Sequence, residues 1–493
     1  MAPTSKSSAI FTLEDVKASF NIFCCVCGIG SLGMPANYAR AGWVYATIAM
    51  VFMAFANIYS SVLLSKVLLQ APASVRTYGD LGEWVAGKGG RFLVVTCQMA
   101  VCLLLPCAFL VLGSLLLDVL FPDCFSQSVW IIFMAIVVVP VALVPTMKES
   151  TSMALAGCLG TIVADLIGIS ILLYEMRGHP SPPIADVSAH QVITTFGNLS
   201  LAYAAATVIP DLQRQHSQPD RMPRVIIVSL VVSSVFFVAV AILGYIAGGC
   251  QMSGNLLFSV TNTSDPYAAT SLGFTSSRAA VVMAFIFMQM HLSVAFCCFL
   301  HPAFYMFERV ILGMHAPTST EENALPNEKV SYLPASTPAE VESNDRISRF
   351  NVTSRMSVPN TLVAEEDLSE YKGSANVTRY ILLRITLIAV LVVLSILLRD
   401  NFLNLTDFTG ATAITTSSLI LPFIFYVKVF WNKISVWEKL LCLTITIICT
   451  AAGIYVMIDA GKNLFNPVEE DVTFPFCSAE FQEEPYYVRN DTI

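Results

Sequence analysis

The feature that most constrains this chain is a series of apolar runs about 20 residues long, the length a helix needs to cross the hydrocarbon core of a bilayer. Eleven can be read, near 17–38, 43–70, 92–120, 128–147, 150–174, 190–210, 224–248, 279–311, 380–398, 407–430 and 436–460. Only Ala39-Arg40-Ala41-Gly42 divides spans 1 and 2, and only Lys148 and Glu149 divide spans 4 and 5. With 55% apolar and 13% charged residues over 493 positions, the chain does not read as a water-soluble globule. Its net charge is -8 and its basic residues are scattered, so no nucleic-acid footprint is present. Residues 1 to 17 are polar and the first apolar run is long enough to span, so it reads as a signal-anchor rather than a cleaved leader.

Loop charges orient the spans, because cytosolic loops collect Lys and Arg. With the N-terminus in the cytosol, 21 basic residues fall inside and 6 outside, the latter being Arg40, Arg177, Arg278, Arg399, Lys462 and Arg489. The expected organisation is a cytosolic N-terminus at 1–16, spans 1–8 over 17–311, a cytosolic loop at 312–379, spans 9–11 over 380–460, and an acidic non-cytosolic tail at 461–493. The loop is rich in Ser, Thr, Pro, Asn and Glu, the composition of a disordered segment. It reads as a linker, or as a site of phosphorylation or partner binding. Its sequons at Asn351 and Asn376 would face the cytosol, which leaves Asn262, in an outside loop, as the glycosylation candidate. Of fourteen cysteines only Cys124, Cys250 and Cys477 lie outside the spans, so at most one disulfide can form among them; the pairing stays open.

Interruptions within spans are informative, because a helix in lipid can open only where its freed backbone groups line a cavity or meet protein. Span 1 carries Gly28-Ile29-Gly30-Ser31-Leu32-Gly33-Met34-Pro35, a poor helical sequence. At 1.5 Å per residue this run lies about 17 to 24 Å deep, near the middle of the bilayer. Span 6 carries a second candidate over 195–206, ended by Pro210, with the interruption expected at about 198–206, at matching depth. Two breaks meeting at the midplane, from the first helices of two oppositely directed halves, are the signature of an inverted repeat with a central site. The substrate-binding candidates are therefore Gly28, Gly30, Ser31, Gly33, Asn198, Ser200 and Tyr203. Exposed half-helix amides suit a carboxylate. Tight packing of small residues is the competing account of the glycines, and aromatic packing that of Tyr203.

These same residues resemble the amino acid/auxin permease family. Gly28 to Pro35 is similar to its first-span signature, Tyr78-Gly79-Asp80-Leu81-Gly82-Glu83 with Gly87 to Arg91 to its loop after span 2, and Ala202-Tyr203 to Gln213 to its sixth span. His291 through His301-Pro302 to Glu308 resembles the eighth span of plant members, and Gly410-Ala411 to Pro422-Phe423 the tenth. The resemblance implies an all-α polytopic membrane protein of about eleven helices, with the LeuT-like 5+5 inverted repeat plus one extra helix. It implies a secondary active amino acid transporter of the plasma membrane or a vacuolar or lysosomal membrane. Coupling in the family is usually to protons. Sodium-coupled members tend to carry Asn where Cys24 stands here, which favours protons.

Titratable groups deep in a span are functional candidates by default. Asp165 in span 5 and His291 in span 8 are the possible proton carriers, with Ser293 two residues further on. Structural hydrogen bonding is the alternative role for each. His301 and Glu308 lie nearer the cytosolic end, where snorkelling or helix termination competes with function. No nucleophile with a base, metal set or cofactor loop has usable spacing, so neither an enzyme nor a bound cofactor or metal is expected. A channel lacks its repeated filter. A nutrient-sensing receptor on a transporter fold, or a sodium-coupled transporter, remains the alternative.

Overall fold

The computed structural model describes residues 11–72, 74–145, 151–315, 371, 373–465 and 472–488. Among them the fold is helical apart from one isolated β-bridge, Ala185 with Cys477. The helices are α1 (Leu13–Val26), α2 (Ile29–Leu32), α3 (Met34–Gln70), α4 (Tyr78–Leu120), α5 (Gln127–Ala142), α6 (Thr151–Glu175), α7 (Ala189–Ala202), α8 (Ile209–Gln215), α9 (Met222–Gly248), α10 (Leu256–Ser259) and α11 (Arg278–Phe307). After residue 371 come α12 (Ser374–Leu398), α13 (Phe402–Thr409), a π-helical segment (Gly410–Ile420), α14 (Leu421–Val429) and α15 (Val436–Phe465).

Eight helical stretches are long and apolar enough to cross a membrane, and α5 is a shorter apolar helix. The protein is therefore an integral membrane protein. Ala375–Val429 forms one such stretch through what the sequence reads as spans 9 and 10. Gly42, at φ 70°, bends α3 where the sequence separates spans 1 and 2. The Lys148-Glu149 division lies outside the described residues.

Local chemistry sets the starts. Thr12 and Asp15 form a reciprocal capping box that begins α1 at Leu13, four residues before the expected boundary. Thr77 with Asp80 does the same for α4, and Ser188 with Gln191 for α7. Two packed groups follow. In one, α3 lies along α9 and α7, with α1 against α9; in the other, α11 packs on α4 and α5 while α12 covers both. α6 bridges the groups through α11, α1 and α9.

The second group is stapled by a buried ion pair. Arg384 on α12, only 1% exposed, donates through Nε to Glu308 Oε1 at 2.8 Å and through its other nitrogens to the carbonyls of Ala142, Val144 and Pro145. Tyr371 Oη donates to Glu308 Oε2 at 2.6 Å, and His315 Nε2 lies 3.3 Å from the same oxygen. This corrects the expected 312–379 loop at both ends: residues 312–315 and 371 pack into the body, and α12 begins at Ser374. Residues 316–370, with Asn351, lie outside the described part; Glu308 is neither snorkelling nor a bare helix end. Arg384→Met should destabilise by about 3–5 kcal/mol, because it leaves Glu308 buried without its cation. Combining it with Glu308→Gln should recover much of the loss in thermal unfolding of the purified protein.

Candidate functional site

Span 1 opens at Cys27 and Gly28. α1 ends at Val26, and Gly28 adopts φ 129° and ψ −113°, a conformation that L side chains rarely take. Ser31 ties the opening down, its Oγ donating to the Gly28 carbonyl at 3.0 Å and accepting from the Gly28 amide at 3.3 Å. Helix resumes at Ile29 and passes through Gly33, itself αR, into α3 with Pro35 in its first turn. The first amides of this half-helix have no intrahelical acceptor.

Span 6 opens later than expected. α7 stays helical through Asn198 and Ser200 to Ala202, and the chain then runs through Tyr203, a 3-10 turn at Ala204–Thr207 and Val208 before α8. The break is thus 203–208 rather than 198–206, because the run of three alanines tightens to 3-10 ahead of Pro210, which has no amide to continue a ladder. The two spans face each other. A Cβ on Gly30 would lie 2.8 Å from Ala202 Cα, and one on Gly33 would lie 2.3 Å from Asn198 Nδ2. Asn198 Nδ2 donates to the Gly33 carbonyl and to Asn37 Oδ1, each at 3.3 Å. Gly30 and Gly33 thus permit close approach of α2 and α7, and in this closed arrangement the space expected for a carboxylate beside Gly30 is taken by Ala202. Ser200 accepts from Thr415 Oγ1 at 3.2 Å, joining span 6 to the π segment. Tyr203 is buried, its hydroxyl 2.8 Å from Ser234 Oγ and its ring edge-on to Phe237, so its side chain braces the break against α9.

Asp165 and His291 both reach the span 1 opening. His291 is fully buried, and its Nε2 would be 1.9 Å from a Cβ on Gly28. Nδ1 sits 3.0 Å from the Gly157 carbonyl on α6; a carbonyl only accepts, so Nδ1 carries the proton. That leaves Nε2 aimed at the opening, with the Cys27 carbonyl close by but no hydrogen bond completed among the described residues. Asp165 is likewise fully buried beside Ser31, and neither carboxylate oxygen completes a hydrogen bond among the described residues. Ser293 donates back to the Gln289 carbonyl of its own helix and is half-buried.

An ion pair lies at each end of the two broken spans. On one face Arg40, at the end of the broken span 1, lies 3.3 Å from Asp407 on α13 and donates to the Thr194 carbonyl of α7. Above this pair opens a vestibule of about 850 Å³ lined by Arg40, His190, Asp407, Asp459 and Phe476. A narrower cavity continues below it past Asn37, Asn198 and Gly33. At the opposite face Asp15 holds Arg221 at 2.6 Å and His216 at 3.1 Å. Asp15 precedes the apolar run. Burial pushes its carboxyl up, but Arg221 and Thr12 outweigh this and hold it at about 2. A depressed carboxyl contributes its stabilisation above the ordinary carboxylate range and loses it only as pH falls toward the folded value, so the Asp15–Arg221 pair stays ionic between about pH 5 and 8.

Sequence reading missed Arg40, Asp407 and Asn37. The signals were a lone arginine in an otherwise apolar turn and a lone carboxylate at the head of span 10. Asn262 lies in a loop on the vestibule face, its side chain accepting from Ser264 and Asp265 amides. Cys250 and Cys477 are disulfide-bonded on that same face, and Cys124 is free.

Two broken helices facing each other inside an apolar bundle, with an ion pair at each end, are the arrangement of the LeuT-like fold. MhsT in complex with L-phenylalanine has this fold, with a TM-score of 0.54 at 12% identity, covering 92% of this chain and 99% of that chain. The chain belongs to the transmembrane amino acid transporter protein family, whose profile matches residues 14–461. Similar relatives are amino acid transporters AVT1D and AVT1I of Arabidopsis thaliana, each 25% identical, over 45% and 48% of this chain and 41% and 60% of theirs. Vacuolar amino acid transporter 4 of Saccharomyces cerevisiae is 20% identical over 47% of this chain and 34% of its own. The matches thus span 34% to 60% of the length of these relatives.

Proposed function

We propose that this chain is a secondary active transporter of amino acids, coupled to protons, with the substrate held between the openings at 27–28 and 203–208. The observation that carries the reading is the pairing of these openings, below a vestibule and above the Asp15 contact. The α2 end presents amides of a helix N-terminus, suited to a carboxylate, and the α7 end presents carbonyls of a helix C-terminus, suited to an ammonium. An amino acid backbone has that charge pattern. Gly28, Gly30, Ser31, Gly33, Asn198, Ser200 and Tyr203 would shape or brace this space, separating as the closed arrangement opens.

Asp165 and His291 would carry the coupling. Burying an unpaired charge is expensive, so Asp165 is best carried here with a proton. A protonated His291 could donate from Nδ1 to Gly157 and from Nε2 toward the Cys27 carbonyl at once. Ser293 stands outside this set. Eleven passes with a cytosolic N-terminus are supported by the Cys250–Cys477 bond, since disulfides persist on the non-cytosolic side. The membrane would be the plasma membrane or that of a vacuole or lysosome, the latter in keeping with the yeast relative's name. Asn262 would be glycosylated on the non-cytosolic side.

The test is saturable uptake of labelled amino acids by purified protein in proteoliposomes, over a substrate panel, with and without an imposed pH gradient. Uptake should rise with acidity on the vestibule side and ignore replacement of sodium. Sodium-dependent, pH-independent flux would identify a sodium symporter, and binding without net flux a nutrient receptor.

A further inference from the structure

Arg40 has a third partner besides Asp407 and Thr194. Its guanidinium sits 5.3 Å from the centre of the Phe476 ring. Phe476 belongs to the segment 472–488, beyond α15 and outside the helical bundle. Four attachments fix this segment across the vestibule rim. Cys477 is bonded to Cys250, and the Asp186 amide donates to the Phe476 carbonyl at 3.0 Å. Gln251 Nε2 donates to the Phe481 and Glu484 carbonyls at 2.8 Å each, while its Oε1 accepts from the Tyr486 amide at 3.0 Å. Tyr486 Oη donates to the Ala247 carbonyl at the end of α9. Thr473 to Phe476 then form part of the vestibule wall.

We propose that the C-terminal segment is a fixed rim of the access path, and that Phe476 is a positioning residue that holds Arg40 closed against Asp407. The inference rests on the reading of Arg40 and Asp407 as a closure on the substrate path. Asp407 and Thr194 hold Arg40 from spans 10 and 6, elements of the bundle itself. The ring holds it from a segment anchored to the 182–187 and 247–251 loops instead. An aromatic face attracts a guanidinium with its quadrupole, an effect an aliphatic side chain of similar bulk cannot supply. Cleaving the disulfide would loosen the segment that carries the ring without altering the ring itself.

The experiment follows access rather than transport, so it stands even if the substrate assignment fails. Ala36 lines both the vestibule and the cavity below the pair. In an Ala36→Cys, Cys124→Ser protein in nanodiscs, the modification rate at position 36 by 2-(trimethylammonium)ethyl methanethiosulfonate is read by mass spectrometry. Adding Phe476→Leu should accelerate modification about threefold, the size of losing one partly exposed cation–π contact. Phe476→Trp should restore the parent rate. Replacing both Cys250 and Cys477 by Ser should reproduce the acceleration with the ring intact, which covers the case of a poorly folded Phe476→Leu protein. A rate at or below the parent's in both Phe476→Leu and the double serine protein, or equal acceleration in Phe476→Trp, overturns the proposal.

Discussion

Replacing Gly28 by alanine is expected to reduce amino acid uptake by about tenfold or more while the protein still folds and inserts. Two costs coincide there. The backbone sits at φ 129°, which a side chain strains by about 1–3 kcal/mol, and the new methyl would stand 1.9 Å from His291 Nε2. Gly87→Ala separates the two, because Gly87 also has a positive φ, 72°, yet nothing lies within 4 Å of its would-be Cβ. Gly87→Ala should lower thermal stability slightly and leave uptake near the parent's. Gly28→Ala combined with His291→Ala should relieve the clash and regain thermal stability without regaining coupled uptake. Parent-level uptake by Gly28→Ala would mean that this opening is not where substrate and His291 meet.

Asp165→Asn should separate flux from its driving force. The amide resembles the protonated carboxyl in shape and charge, so the opening keeps its packing and the substrate its binding. It cannot release a proton, so uptake driven by a pH gradient should fall by about tenfold or more while exchange of internal for external amino acid persists. His291→Gln should flatten the pH profile in the same sense, because neither amide titrates in this range. The Asp15–Arg221 pair adds nothing to that profile, since it keeps its charge over the range scanned. Retention of the parent's pH profile by both single variants and the double variant would clear these residues of the coupling role.

How much of this could be read in the sequence depends on the range of the interaction. The break in span 1 was legible because Gly28, Gly30, Gly33 and Pro35 act through local backbone preference. The break in span 6 was placed too early because nothing local distinguishes Asn198 from Ala204. What keeps 198–202 helical is packing, with Gly197 and Gly410 bringing α7 and the π segment to backbone distance. Asp165 and His291 stood out as titratable groups in apolar runs. Arg40 and Asp407 did not, being 367 residues apart and each ordinary near a helix end. The ends of the 312–379 loop were misjudged for the same reason. His315 and Tyr371 look like loop residues until Arg384 and Glu308 supply the buried charge they complete.

The Cys250–Cys477 bond also bears on how the molecule is assembled. Its partners are 227 residues apart, and the second follows α15. Cys250 must therefore wait as a free thiol through synthesis of every later helix, and oxidation can come only after α15 has delivered Cys477 to the same side of the bilayer. The bond would act as a biosynthetic checkpoint. A chain in which a single span after Cys250 failed to insert would strand the two cysteines in different compartments, leaving a reduced form that a quality-control system, or a thiol-specific tag in a pulse-chase, could tell from the finished protein.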